Sequence, residues 1–170
     1  MAHRQTGRSC TSDCCSTKIL PGIGHALRLL KTKKKGWGVQ TLQPIPKGTY
    51  VCDYVGELVS HDFERQEASA NGEHQTTFVV SVDHFGSNHR FGIDGHSKGN
   101  LARFFNHSCE PNMCMRLICE RNLPVGTQPR VAMFTVRNVD PFEELTWMYN
   151  PRSTGSIECC CGAPTCRKRL

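Results

Sequence analysis

RFFNHSCEPN, residues 103–112, decides how the rest of the chain is read. Within four residues it sets an amide, an imidazole and a thiol (Asn106, His107, Cys109), directly after two phenylalanines and before a proline that blocks helical continuation. Asn brings donors and an acceptor, His two ring nitrogens and Cys a metal ligand, so one turn can hold a polar ligand and tie down a zinc. A surface turn with a partly buried cysteine is the alternative that this stretch alone leaves open.

The C-terminal tail supplies a second anchor. Cys159, Cys161 and Cys166 form C-x-C-x4-C, and Cys109 adds the fourth thiolate that a closed zinc site needs. A zinc shared in this way folds the tail back over the central stretch and completes a pocket there. Cys160 stays unassigned. Eleven cysteines in 170 residues also suit a disulfide scaffold, but the number is odd and MAHRQTGRSC is polar where an export signal is apolar. Zinc in a reducing compartment is therefore expected. No apolar run approaches the ~20 residues of a membrane span, and no membrane partner is expected. Cys10, Cys14 and Cys15 cluster near the start, where a metal site would need a further ligand such as His3.

The formal charge of +6 is concentrated in KTKKK, residues 31–35, and in Arg167–Arg169. It marks either a solvated face or a surface for phosphates and acidic partners. Between the motifs the pattern is of short strands. GWGV (36–39) has glycines that let backbone approach a ligand, or simply turn a hairpin around a packing Trp. TYVCDYVGELV from Thr49 predicts one half-buried strand, and TTFVVSVD with FGID predicts a β-hairpin around the 86–90 loop. MCMRLIC (113–119) and RVAMFTVR (130–137) predict two more strands around an NLPVG turn, leading into ELTWMYN (144–150). Ser60 is positioned to cap a helix running to Ala70, with Asn71-Gly72 as its stop.

Taken in order, KGWGV (35–39), the Y-x-G-E of Tyr54–Glu57, RFFNHSCEPN, ELTWMY ending at Tyr149 and CCCGAPTCR (159–167) resemble the SET-domain lysine methyltransferases over roughly residues 25–167. The tail and the cysteine-bearing start look most like the histone H3 lysine 9 group. The resemblance implies a mainly β fold with short helices (α+β), its small sheets arranged around a pseudoknot in which the NHSC segment threads under a loop. It divides the chain into a remnant of a pre-SET cap at 1–24, a SET domain at 25–150 and a post-SET zinc-binding tail at 151–170.

The same resemblance implies a protein-lysine N-methyltransferase that uses S-adenosylmethionine and a structural zinc on Cys109, Cys159, Cys161 and Cys166. Lys35, Gly36 and Trp37 match the family's first cofactor stretch. Arg103, Asn106 and His107 match its second, with Asn106 and His107 at the adenine end. Tyr149 matches the tyrosine of the lysine channel, where a desolvated amine loses its proton more easily. Phe78 stands where the lysine 9 group usually has a tyrosine. Trp147 stands where a Phe or Tyr influences how many methyl groups are added; an indole has no hydroxyl acceptor, which favours di- or trimethylation. The implied partners are the histone H3 tail or nucleosome, with non-specific DNA contact through the basic clusters, in the nucleus on chromosomes. Asp53, Glu57, Asp83 and Asp94 are loose candidates for a groove that receives the basic tail. The other readings are a catalytically weak SET domain that binds chromatin, or a methyltransferase of another histone lysine or a non-histone protein.

Overall fold

Short β-branched and aromatic runs separated by Gly, Pro and Asn give ten strands, none longer than six residues among the residues described. The structure, a computed structural model, describes residues 22–60, 78–83, 90–118, 130–149 and 157–170. The expected helix beyond Ser60, the N-terminal cysteines, the 86–89 loop and the NLPVG turn lie outside those residues. A single 3-10 turn, Leu101–Phe104, is the only helix among the described residues. No helix there is long and apolar enough to cross a membrane.

β1 (Leu27–Lys31) and β2 (Trp37–Thr41) form an antiparallel hairpin. Its turn closes because Gly36 takes a φ of 70°, open to glycine at little cost, while Thr32 donates both N–H and hydroxyl to the Gly36 carbonyl at 2.8 and 2.9 Å. The single strand expected from Thr49 is instead two. β3 (Tyr50–Tyr54) joins a sheet of order β3-β9-β8, and β4 (Glu57–Ser60) joins another of order β4-β6-β5. The break falls at Gly56, where a Cβ would come within 2.3 Å of the Asp94 carbonyl oxygen. Only glycine lets the chain cross that close to β6. Ser60 is accordingly the last residue of β4.

The hairpin of β5 (Val79–Asp83) and β6 (Arg90–Asp94) forms as expected, as does that of β8 (Met113–Ile118) and β9 (Arg130–Thr135). β7 (Asn106–His107) and β10 (Thr146–Trp147) are only two residues each and pair in parallel. That pairing joins the central stretch to ELTWMYN. Val39, Val51, Phe105, Met113, Met133 and Leu145, drawn from or beside three different sheets, share one core and are all at most 1% exposed. The central stretch therefore sits inside the packing rather than on a surface turn.

Asn112 is the polar hub of this core, at 1% exposure. Its amide nitrogen donates to the Glu144 carbonyl at 2.8 Å and to Glu143 Oε1 at 3.0 Å, its Oδ1 accepts from Thr146 N–H at 2.8 Å, and its carbonyl accepts from Val136 N–H at 2.9 Å. A buried amide so fully satisfied holds the end of the central stretch, the end of β9 and the start of β10 in one arrangement.

Candidate active site and metal centre

The four cysteines singled out by spacing do meet. The sulfurs of Cys109, Cys159, Cys161 and Cys166 all lie within 4.8 Å of one another, with Cys109 and Cys159 at 3.9 Å. A tetrahedral zinc with Zn–S bonds of ~2.3 Å sets its sulfurs ~3.8 Å apart, so the donor set fits that ion in number, type and spacing. Main-chain N–H groups point at the sulfurs, Arg167 to Cys109 and Lys168 to Cys166, both at 3.4 Å. Glu110 adds a clasp: its Oε1 accepts from the Thr165 hydroxyl at 2.6 Å and the Thr165 N–H at 3.2 Å. Cys160 is not among the four.

His107 is 4% exposed and its ring is engaged inside the fold. Nδ1 accepts from the Tyr149 N–H at 3.1 Å, which leaves Nε2 as the protonated nitrogen, 3.4 Å from Cys109 Sγ. Burial, with Arg167 and Lys35 nearby, pushes its pKa down to about 4, so the imidazole is neutral. The ring thus links Tyr149 to the cysteine cluster. Asn106 is similarly committed: its side-chain nitrogen donates to the Trp37 carbonyl at 3.0 Å and to Glu144 Oε1 at 2.8 Å. Lys35 reaches the other oxygen of Glu144 at 2.6 Å. Lys35, Trp37, Asn106 and Glu144 therefore form one polar network joining the β1–β2 hairpin to the central stretch. Gly38 lies under it, where a Cβ would be 2.8 Å from Glu144 Oε1 and 2.9 Å from the Asn106 nitrogen.

Next to this network is a cluster of aromatic rings and hydroxyls. Trp147, 8% exposed, packs on Tyr149 with ring centroids 5.1 Å apart, and Tyr149 packs edge-on against His107 at 5.4 Å. Tyr149 is 45% exposed as a residue, yet its hydroxyl is turned inward and donates to the Phe105 carbonyl at 2.8 Å. Burial of that phenol, with Glu144 near, pushes its pKa up to about 12. Tyr54 is buried and donates its hydroxyl to the Phe78 carbonyl at 2.5 Å. Burial and then the neighbouring Tyr149 hold its pKa well above the ordinary phenol value, so both phenols stay protonated.

The Phe78 ring, at the position where the lysine 9 group usually has a tyrosine, stacks on Arg103, whose guanidinium carbon lies 4.2 Å from its centroid and 5.2 Å from that of Phe104. The Phe78 carbonyl accepts from the Tyr54 hydroxyl. Arg103 also donates to the His96 carbonyl at 2.7 Å, while its Nε is buried with no hydrogen-bond partner among the described residues.

Tyr54, Glu144 and Asn112 were not read as site residues from sequence. Tyr54 stood in the quoted Y-x-G-E, whereas Glu144 and Asn112 carry no local signal of their partners. Of the acids named for a groove, three have partners within the fold. Asp53 is bound by Arg130 at 2.6 Å, Glu57 by Lys98 at 2.7 Å, and Asp94 accepts from the His96 N–H at 2.7 Å.

Comparison with known proteins agrees with this geometry. The SET-domain family model matches residues 36–150. The chain is 32% identical to SUVH5 of Arabidopsis thaliana, an H3 lysine-9 specific histone-lysine N-methyltransferase, over 95% of its own length and 20% of that relative's. It superposes on the methyltransferase domain of human SETMAR with a TM-score of 0.77 at 29% identity, covering 88% of this chain and 59% of that one. On KRYPTONITE, solved in complex with mCHG DNA and SAH, it superposes with a TM-score of 0.69 at 31% identity, covering 86% and 29%. The chain thus spans less than two thirds of each of these proteins. Since the matched region takes in β2, the central stretch and β10 together, the chain belongs to the SET-domain family.

Proposed function

We propose that this chain is a protein-lysine N-methyltransferase that uses S-adenosylmethionine and acts on lysine 9 of histone H3. The observation that carries the reading is the pair of phenols, Tyr54 and Tyr149, each with its proton committed to a main-chain carbonyl. A hydroxyl whose proton is spent in this way offers only lone pairs, so each oxygen accepts an N–H from a lysine amine. The amine is thereby oriented without being given a proton. With Trp147 excluding water, the ammonium form, whose ordinary pKa is ~10.4, is destabilised and the neutral nucleophile favoured. S-adenosylmethionine, when bound, supplies a methyl group on a sulfonium that leaves as a thioether. In-line positioning then accounts for the rate, with no covalent enzyme intermediate.

Lys35, Gly36, Trp37, Arg103, Asn106 and His107 form the cofactor side. The buried Nε of Arg103, without a partner among the described residues, is a donor suited to a carboxylate, and two aromatic faces hold that guanidinium in place. Because the side-chain nitrogens of Asn106 and His107 are engaged within the fold, an adenine there meets main-chain groups of the same turn. Phe78 acts through Arg103 and Tyr54. Cys109, Cys159, Cys161 and Cys166 hold a zinc that keeps residues 151–170 as a tail over a SET domain at 25–150, with 1–24 as its cap. The working setting is the nucleus, on chromosomes, with the H3 tail or nucleosome as partner.

A radiolabelled methyl-transfer assay on H3 tail peptides tests this. Transfer to the lysine 9 peptide, lost in Tyr149→Phe with S-adenosylmethionine affinity intact, is the expected result. Cofactor binding with no transfer to any histone peptide would favour a chromatin-binding module instead.

A further inference from the structure

The cationic tip of the β1–β2 hairpin takes no part in the site just described. Residues 22–49 hold six cations (Arg28, Lys31, Lys33, Lys34, Lys35 and Lys47) and no Asp or Glu. The chain has 21 Lys and Arg in all; less these six, 15 remain, matched by its 15 Asp and Glu. Outside this segment positive and negative residues balance in number, with Arg167–Arg169 as a second basic cluster. Within it, Lys35 is neutralised by Glu144, and Arg28 is occupied by Gln40 and the face of Phe142. Lys31, Lys33 and Lys34 are exposed and form no ion pair among the described residues. They crowd one end of a hairpin whose turn is closed by Thr32 and Gly36. Three like charges held so close repel one another, a cost that an anionic partner removes.

We propose that Lys31, Lys33 and Lys34 dock the phosphate backbone of duplex DNA and thereby hold the site against a nucleosome. This rests on the methyltransferase reading above, because DNA is then the anion that lies beside the substrate tail. Duplex DNA carries one negative charge per ~1.7 Å of axis, so ammonium groups on flexible stems find phosphates without a sequence-specific fit. The tip is also mechanically tied to the chemistry. Its next residues, Lys35 and Trp37, bond Glu144 and Asn106, so a partner that grips the tip sets the distance between DNA and the amine channel.

The test compares the full chain with a Lys31→Gln, Lys33→Gln, Lys34→Gln triple variant and with the matching Lys→Arg triple. Affinity for a 30-base-pair DNA duplex is followed against salt concentration. Methyl transfer is measured in parallel on an H3 tail peptide and on nucleosomes. The expected result for the Gln triple is a salt slope smaller by about 0.9 for each phosphate that the variant no longer neutralises. Its KM for nucleosomes rises about tenfold while kinetics on the peptide stay unchanged, and the Arg triple restores both, since charge rather than geometry holds the phosphates. An unchanged salt slope, equal loss on peptide and nucleosome, or loss on nucleosomes with DNA affinity intact would each overturn the proposal. So would preference for duplex RNA over DNA. Absence of peptide methylation by the unmodified chain would instead tell against the methyltransferase reading, and the DNA arm reads independently of it.

Discussion

Asn112 shows how much one buried side chain can organise. Its amide serves Glu143, Glu144 and Thr146 at 1% exposure, so Asn112→Ala leaves several buried groups unpaired at once. The expected loss is about 3 kcal/mol in urea unfolding, larger than for an exposed asparagine, because an unsatisfied buried donor or acceptor costs its full desolvation penalty. Phe78 makes a subtler contribution. With its ring 4.2 Å under the Arg103 guanidinium, Phe78→Leu removes a cation–π interaction worth ~1 kcal/mol and should weaken S-adenosylmethionine binding about fivefold by calorimetry. Phe78→Tyr keeps an aromatic face and should leave that affinity unchanged. At Trp147 the question is product rather than rate. The indole, packed at 5.1 Å on Tyr149, has no hydroxyl to hold a water beside the amine, so di- and trimethyl-lysine are expected. Trp147→Tyr should shift the products toward monomethyl-lysine in mass spectra of a methylated peptide. Monomethyl product alone from the unmodified chain, after long incubation, would show that ring bulk decides instead.

Elements as short as β7 and β10, two residues each, are not stable by themselves and persist because their neighbours are fixed from several sides. One of those sides is the cysteine tail. Among its described residues the regular structure is a single isolated bridge between Glu158 and Arg169, and the Glu110–Thr165 clasp is exposed. Metal binding is then the main force holding the tail over the central stretch. Elemental analysis is expected to find at least one zinc per chain, and Cys161→Ser should lose it together with methyl transfer. Acid should act in the same direction, since protons compete for the thiolates and zinc affinity falls as the pH drops. Zinc retained by Cys161→Ser would sink the four-cysteine site.

Across the whole molecule, what was legible in the sequence was chemistry that repeats at a fixed spacing or stands in a fixed order. Strand pairs joined by turns, such as β5–β6 and β8–β9, could be read because pairing between near neighbours depends on local alternation and turn residues. The four zinc ligands and the family could be read because the donor types and motif order are themselves the signal, and the match over residues 36–150 bears the family out. Tertiary structure alone decided which partners polar groups would choose. Nothing near Glu144 in the chain indicates that Lys35 and Asn106 will share its two oxygens. Nor does anything near Phe78 show that its ring faces Arg103 while its carbonyl receives Tyr54. The break at Gly56 was hidden likewise, because it is imposed by the Asp94 carbonyl on another strand. Local patterning records what a residue prefers, whereas the partner a buried donor or ring obtains is set by which remote segment the core brings within reach.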